Sequence, residues 1–124
     1  DESDAAFPRV KRETAGGVIL PSDGVADPQR RQLVSLAAKY RLPAIYPQRE
    51  YVEVGGLMSY GPNAIDAHRR AAAFVDKILK GAKPGDLPME PPANLELLLN
   101  LKTARALGVT LPPTLVTRAD EVVQ

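Results

Sequence analysis

The chain has 124 residues, of which 44% are hydrophobic and 25% charged, enough for one folded domain with a real core. Its formal net charge of +1 argues against a nucleic-acid or membrane-surface binder, so we expect no nucleic-acid partner. Cysteine is absent, which excludes disulfides and thiolate metal sites. The chain opens on the acidic stretch DESDAAF, which does not have the pattern of a signal peptide; if the protein is exported, we expect its signal to lie upstream.

The first elements predict a helix, a strand and a loop. Residues 5–15 have the pattern of a helix end, which Pro8 weakens because proline cannot donate a backbone hydrogen bond. The short apolar run at 18–20 is typical of a buried parallel strand. Residues 21–24, Pro-Ser-Asp-Gly, predict a loop at the carboxyl end of that strand.

The next segment completes a strand–helix–strand unit. Asp27 is placed to cap a helix whose first residue is Pro28. Apolar residues then recur at helical spacing on one face, at Leu33, Leu36, Ala37 and Tyr40. A second short strand is predicted at 42–47, ending at Pro47. This order predicts a βαβ unit with a right-handed crossover and parallel strands.

A third strand and a long helix follow. The run GLMSYG at 56–61 is apolar and ends in polar residues. Asn63 is a plausible N-cap of the next helix, and Asp66 adds an acidic group to its first turn. An apolar stripe runs along this helix through Ala64, Ala67, Ala71, Phe74, Val75 and Ile78. Gly81 is the expected stop.

The last third of the chain returns to alternating strands and helices. The predicted elements are, in order, a proline-rich connector at 81–94, a strand at 95–99, a helix at 101–107 capped by Asn100 and closed by Gly108, a helical turn from Pro112 or Pro113, and a strand at 121–124. Together these elements predict an α/β fold with a doubly wound, mostly parallel sheet, a Rossmann-like arrangement. We expect residues 1–124 to form a single α/β domain.

The sequence offers no constellation for catalysis, so we expect no enzyme, no catalytic residue, no cofactor and no metal. His68 has no acidic or histidine partner at metal-ligand spacing, and a surface position is the simpler interpretation. The glycines of GGLMSYG lack the spacing and the Lys-Ser/Thr pair of a phosphate-binding loop. Neither the dinucleotide-binding GxGxxG pattern nor a nucleophile elbow occurs.

Three predicted strand ends carry polar or aromatic residues, and ligands of open α/β sheets bind at such ends. The candidate ligand-binding residues are Ser22, Asp23, Tyr46, Ser59, Tyr60 and Gly61. Ser59 to Gly61 lead into a helix N-terminus, whose free amides favour a carboxylate or another anion. The alternatives are that Tyr60 caps the sheet and Ser59 satisfies a turn, and that Asp23 and Tyr46 have plain loop and core roles.

Three segments in chain order then show a family resemblance: RLPAIYPQREYVEVGGLMSYGPN, AAAFVDKILKGAKPGDLPMEPP and LELLLNLKTARALGVTLPPTLVTRADEVV. Over roughly residues 5–124 the chain resembles the substrate-binding proteins of ABC transporters. The resemblance implies a type I periplasmic-binding-protein fold, in which two Rossmann-like lobes close on a small-molecule solute. It also implies a periplasmic or extracytoplasmic location, and a membrane permease and its ATPase as partners.

The resemblance also places the candidate residues. Ser59, Tyr60 and Gly61 would lie at the hinge side of the inter-lobe cleft, and the loop at 21–23 and the end of the Tyr46 strand would line the second lobe's side. Two departures bear on the solute: many relatives carry an aromatic residue where Gln48 stands, and a bulky pair where the SDG of residues 22–24 stands.

Family chains are more than twice this long, so the resemblance implies a truncated chain, the carboxyl-terminal portion of a two-lobed protein. The helix at residues 63–80 would then lack its usual sheet. We expect it either to form a homodimer or to fold back onto the chain's own sheet. The alternative function is a freestanding α/β module, dimerising or regulatory, without a role in transport.

Overall fold

A computed structural model describes residues 2–13, 15–22 and 27–124. The helices are α1 (Glu2–Arg12), α2 (Arg30–Lys39), α3 (Arg49–Glu53), α4 (Ala64–Leu79), α5 (Leu101–Leu107) and α6 (Pro113–Arg118). The strands are β1 (Val18–Ile19), β2 (Ala44–Tyr46), β3 (Met58–Pro62), β4 (Leu95–Asn100) and β5 (Glu121–Val123). Short 3₁₀ turns lie at Asp27–Gln29 and Pro84–Asp86.

The strands that the structure describes form one sheet in the order β1-β2-β3-β4-β5. The pairs β1–β2, β2–β3 and β4–β5 are parallel. Between β3 and β4 the amide of Asn100 donates to the Leu57 carbonyl at 2.8 Å, and the amide of Asn63 donates to the Asn94 carbonyl at 3.1 Å. Residue numbers rise along one strand as they fall along the other, so this pair is antiparallel. The prediction of an α/β fold with a mostly parallel sheet is confirmed.

The βαβ unit is present as predicted, but its first strand differs from expectation. β1 pairs with β2 in parallel, and α2 lies between them in the sequence. β1 is nevertheless not buried, since the side chain of Ile19 is 80% exposed. The prediction of a buried strand was wrong because β1 lies at the edge of the described sheet, with a neighbour on one side only.

Two helices, α2 and α3, also differ from the sequence interpretation. The α-helical part of α2 begins at Arg30, after a 3₁₀ turn, and Gln29 at the N-cap position makes no side-chain capping bond. The predicted cap falls on the Asp27 side chain, which the structure does not describe. The sequence interpretation did not include α3, because five residues between two strands are too few to show helical periodicity.

The predicted caps at two later helices are confirmed. The side-chain oxygen of Asn63 accepts a hydrogen bond from the amide of Asp66 at 2.8 Å, at the start of α4. The side-chain oxygen of Asn100 accepts one from the amide of Thr103 at 2.9 Å, at the start of α5. Each bond satisfies one of the amide donors that the first helical turn leaves free. Gly108, at φ 72°, ends α5 in the left-handed conformation expected of a helix stop.

The chain folds into two compact units. The first comprises Asp1–Gly61 and Glu96–Gln124 and contains the hydrophobic core between the sheet and α2. The buried residues of this core are Phe7, Leu33, Val34, Leu36, Ala37, Leu42, Ala44, Tyr46 and Tyr51. Leu98 and Leu99 of β4 are also buried, at 1% and 0% exposure. Burial of this apolar area is the main source of stability for the unit.

The second unit, Pro62–Leu95, contains α4 and the connector that follows it. The side-chain amide of Asn94 donates to a carboxylate oxygen of Asp66 at 3.2 Å, and Arg70 forms an ion pair with Glu90. These two contacts hold the end of the connector against the first half of α4. No described residue of α4 is buried.

Gly61 allows a close backbone approach between the ends of β2 and β3. A Cβ atom at this position would lie 1.9 Å from the carbonyl oxygen of Pro47. That distance is far inside van der Waals contact, and the obstacle is backbone rather than a mobile side chain. Only glycine therefore fits without moving one of the two strand ends.

We expect Gly61→Ala to destabilise the protein by about 3 kcal/mol, because the added methyl group must push Pro47 and β3 apart. Urea denaturation measures this loss. The matched control is Gly85→Ala, since a Cβ at Gly85 meets nothing within 4 Å. The control should change stability by less than about 0.5 kcal/mol. Equal effects of the two substitutions would contradict the close-approach argument.

Candidate functional site

The carboxyl ends of β1, β2 and β3 meet at one edge of the sheet, because the three strands are parallel neighbours. In the register, Ile19 lies beside Ile45, and Tyr46 lies beside Ser59. We call the residues at 20–22, 46–48 and 59–61 the strand-end edge. Five of the six candidate residues from the sequence belong to it, so the topology brings together strand ends that are distant in the chain.

The structure describes the first of these strand ends, that of β1, as far as Ser22. Ser22 follows β1 in an exposed loop, and its side chain is accessible to solvent. Asp23 lies outside the described residues, so the structure gives no account of its carboxylate. The ligand-binding role of both residues stays a prediction.

Tyr46, at the end of β2, is part of the core rather than an open surface. Its side chain is 2% exposed, and its ring stacks on the ring of Tyr51 with centroids 4.8 Å apart and planes at 14°. Burial, with a smaller contribution from Tyr51, raises the pKa of Tyr46 well above its ordinary value of 10.0. The stacked ring pair supports the strand-end edge from within the unit.

Ser59 and Tyr60, at the end of β3, differ sharply in environment. Ser59 is 1% exposed, and its hydroxyl oxygen has no hydrogen-bond partner in the part of the chain that the structure describes. An unsatisfied buried hydroxyl costs about 1–3 kcal/mol. Tyr60 is 52% exposed and faces the other side of the sheet, because successive strand residues alternate. The edge thus combines one unpartnered hydroxyl with one accessible aromatic ring.

The sequence analysis missed a charged cluster beside this edge. The guanidinium of Arg49 lies 2.8 Å from a carboxylate oxygen of Glu121, 3.1 Å from one of Glu53 and 3.5 Å from one of Glu96. The hydrogen bond to Glu53 is the largest of the effects that raise the pKa of Arg49, and burial opposes it. Arg49 and Glu53 stand four residues apart, the spacing of a helical ion pair, but one such pair does not by itself indicate a helix. Glu96 and Glu121 gave no signal, because only the sheet order brings them near.

Two cavities lie away from the strand-end edge. One of about 560 Å³ is in the first unit, where β4 and β5 end and β3 begins. Asn100, Thr103 and Gly55 are among its lining residues, and the Thr103 hydroxyl donates to the Gly55 carbonyl at 2.9 Å. Because β4 and β5 run against β3, this cavity is at the opposite edge of the sheet. The other, of about 250 Å³, lies between α4 and residues 90–94 in the second unit.

The described residues contain no group of three acidic, histidine or cysteine side chains close enough to hold a metal ion. His68 is exposed on α4, with its Nδ1 atom 2.6 Å from the Ala64 carbonyl oxygen. No helix in the described ranges is long and apolar enough to cross a bilayer. What the strand-end edge supplies is hydrogen bonding and aromatic contact, which suit reversible binding.

Comparison with solved structures shows the same fold. A conserved domain protein from Vibrio cholerae superposes with a TM-score of 0.88 at 23% identity, over 98% of this chain and 40% of its own. An ABC domain from Streptococcus pneumonia, in complex with L-Trp, superposes with a TM-score of 0.83 at 25% identity, over 98% of this chain and 43% of its own. A ligand-free, open substrate-binding protein with adhesive properties from Clostridium difficile superposes with a TM-score of 0.64 at 21% identity, over 98% of this chain and 41% of its own. The chain therefore spans about two fifths of the length of these structures.

No curated protein matches the chain. The family model of the ABC transporter substrate binding protein matches residues 3–123, which is nearly the whole sequence. The resemblance drawn from the residues is thereby confirmed, and the family is one of binding components rather than enzymes. This chain belongs to the family of ABC transporter substrate-binding proteins.

Proposed function

We propose that this chain is part of the solute-binding component of an ABC uptake transporter. In this proposal the strand-end edge forms one wall of the cleft in which the whole two-lobed protein holds a small organic solute. The observation that carries it is Tyr60, which is half-exposed at the end of β3, where the ends of three parallel strands meet. Ligands of open α/β sheets bind at such strand ends, and Ser59, buried beside Tyr60 in the chain, is part of the same proposed site.

Neighbouring groups complete the proposed wall. The half-exposed ring of Tyr60 offers an apolar face and a hydroxyl that orients a ligand. Gly61 lets the backbone come close, and Ser22 and Asp23 contribute polar groups from the loop after β1. Tyr46 would support this wall from the core rather than contact the solute, because its ring is stacked on Tyr51. Each of these roles is part of the proposal.

The solute class follows from the chemistry of this wall and from one similar structure. The Streptococcus protein, 25% identical over 98% of this chain, contains L-Trp. A small organic solute with a hydrogen-bonding head and an apolar or aromatic body suits the half-exposed Tyr60, which offers both a ring and a hydroxyl. Gln48, two residues after β2 and at the N-cap position of α3, adds a polar side chain to the same edge. We therefore place L-amino acids first among the candidate solutes.

The wider setting is proposed from family membership. The whole protein would work outside the cytoplasmic membrane, in the periplasm or an equivalent extracytoplasmic space. It would deliver its solute to a membrane permease driven by a separate ATPase. This chain would be the carboxyl-terminal portion of that protein, consistent with its covering only 40–43% of the structures with the highest TM-scores reported above.

The test is a calorimetric titration of the two-lobed protein with L-tryptophan and then with the other L-amino acids and small aromatic acids. We expect at least one to saturate a single site. Tyr60→Ala should weaken that binding about tenfold or more, because it removes an aromatic contact. Met89→Ala is the control, since Met89 is fully exposed, at 100%, on the connector after α4. Undiminished binding by Tyr60→Ala and Ser59→Ala variants would refute the proposed wall.

We also propose that the 124-residue chain on its own forms a homodimer through the helix at residues 63–80. The support is that no described residue of α4 is buried, and that Val75 and Ile78 of its apolar stripe are accordingly 54% and 39% exposed. Exposed apolar stripes of this kind favour association, because burial of apolar area is worth roughly 25 cal/mol per Å².

Sedimentation equilibrium of the 124-residue chain tests the dimer. We expect Val75→Lys to shift the chain to monomer, since it places a charge on the apolar stripe. Ala73→Lys, on the opposite side of the same helix, is the control and should leave the dimer intact. A wild-type chain that stays monomeric at about 100 μM, well above a micromolar dissociation constant, would exclude this proposal. A dimer without solute binding by the longer protein would favour the freestanding module instead.

A further inference from the structure

We propose that Arg49 is a positioning residue for the strand-end edge. It would hold the ends of β2 and β3 in place by tying them to the beginnings of β4 and β5. The ion pairs of Arg49 are made to Glu53, Glu96 and Glu121, none of which is a proposed solute contact, so an effect of these pairs on binding would act through the position of the edge. The part of this inference that concerns binding rests on the proposed function, and the part that concerns the edge itself does not.

The geometry of the cluster supports this role. Arg49 begins α3, three residues after Tyr46 at the end of β2. Glu96 is the second residue of β4, and Glu121 is the first residue of β5. Because β4 and β5 run against β1–β3, their beginnings lie at the same edge as the ends of β2 and β3. The Arg49 contacts of 3.5 Å and 2.8 Å to these two carboxylates therefore link β2 to strands on the far side of β3.

Arginine suits this position because its planar guanidinium presents five donors in a fixed geometry. Its Nε, Nη1 and Nη2 atoms each face a different carboxylate, on Glu53, Glu96 and Glu121 respectively. A lysine ammonium is a point charge and cannot hold three carboxylates in that arrangement. Without a cation, three negative groups would crowd together and repel one another.

The exposure of the cluster predicts a local effect rather than a global one. The Arg49 side chain is 32% exposed, and those of Glu96 and Glu121 are 24% and 51% exposed. Ion pairs this accessible to solvent contribute modestly to folding, so the core would survive their loss. Their removal would instead loosen the strand beginnings that they hold, which lie at the margin of the sheet.

The end of β3 is fixed from two sides in this arrangement. On the β2 side, Gly61 lies against the Pro47 carbonyl, with no room for a Cβ atom. On the other side, β4 follows β3 in the sheet, and Glu96 near its beginning is paired with Arg49. Loss of Arg49 would leave the β2 contact intact and release the β4 side. Ser59 and Tyr60 would then be held from the β2 side alone.

The primary test is hydrogen–deuterium exchange on the two-lobed protein without solute. In Arg49→Met we expect amide exchange at residues 59–61, 96–98 and 121–123 to rise about tenfold, the scale expected when several partly exposed ion pairs are lost together. Exchange in α2 should stay unchanged, and so should the melting temperature to within a few degrees. The matched control is Arg9→Met, which breaks an exposed pair to Glu13 with the same four-residue spacing, at 3.3 Å.

Two further variants separate positioning from mere loss of a surface charge. Arg49→Lys keeps the charge but not the planar guanidinium with its five donors, and should give amide exchange between that of wild type and that of Arg49→Met. Adding Glu96→Gln and Glu121→Gln to Arg49→Met should restore part of the protection, because it removes the repulsion. Unchanged exchange at the three segments in Arg49→Met, or an equal rise throughout the first unit, would overturn the proposal.

A titration with L-tryptophan then connects the edge to binding. If the wild-type protein binds L-tryptophan, Arg49→Met should raise the dissociation constant about tenfold at unchanged stoichiometry. The control Arg9→Met should not change the constant. An unchanged dissociation constant in Arg49→Met would overturn the link between Arg49 and binding. If the wild-type protein does not bind L-tryptophan, the proposed solute is wrong, and the exchange data alone decide the role of Arg49. Failure of the proposed function is thus distinguishable from failure of this inference.

Discussion

The reversal of strand direction between β3 and β4 is the constraint on which the candidate site depends. Three strands run one way and two the other, and the antiparallel pair joins the two groups. One edge of the sheet therefore carries the ends of β1–β3 together with the beginnings of β4 and β5. In an all-parallel sheet, Glu96 and Glu121 would lie at the opposite edge from Arg49, and the cluster would not exist.

The strand-end edge carries two sets of residues with different proposed roles, one for binding and one for support. In the proposed function, the ends of β1–β3 provide the groups that suit a solute, above all the accessible ring of Tyr60. The beginnings of β4 and β5 provide carboxylates that pair with Arg49. The first set suits binding because Tyr60 is accessible, and the second suits support because its charges are paired.

Family membership indicates binding rather than catalysis. A binding component needs affinity and release rather than an activated nucleophile, and the strand-end edge offers hydrogen bonds and aromatic surface. The burial of Tyr46 shows how such an edge is stiffened. Its stack on Tyr51 ties the end of β2 to α3, the same helix that begins with Arg49.

Local signals determined much of this protein from the sequence alone. Asn63 and Asn100 cap their helices as predicted, because a cap needs only an amide three residues away. The apolar runs of β2, β3 and β4 and the stop at Gly108 were equally local. The candidate residues Ser22, Tyr46 and Ser59 were chosen because each follows an apolar run, and parallel pairing brought those strand ends to one edge.

Tertiary structure alone decided the rest, for reasons of distance along the chain and of burial. The exposure of Ile19 depends on β1 lying at the sheet edge, and the contrast between buried Ser59 and exposed Tyr60 depends on what covers each face. The meeting of Arg49 with Glu121, 72 residues apart, depends on the strand order. Sequence patterns record a residue's neighbours within a few positions, whereas the environment of a side chain is set by elements that pack against it from elsewhere in the chain.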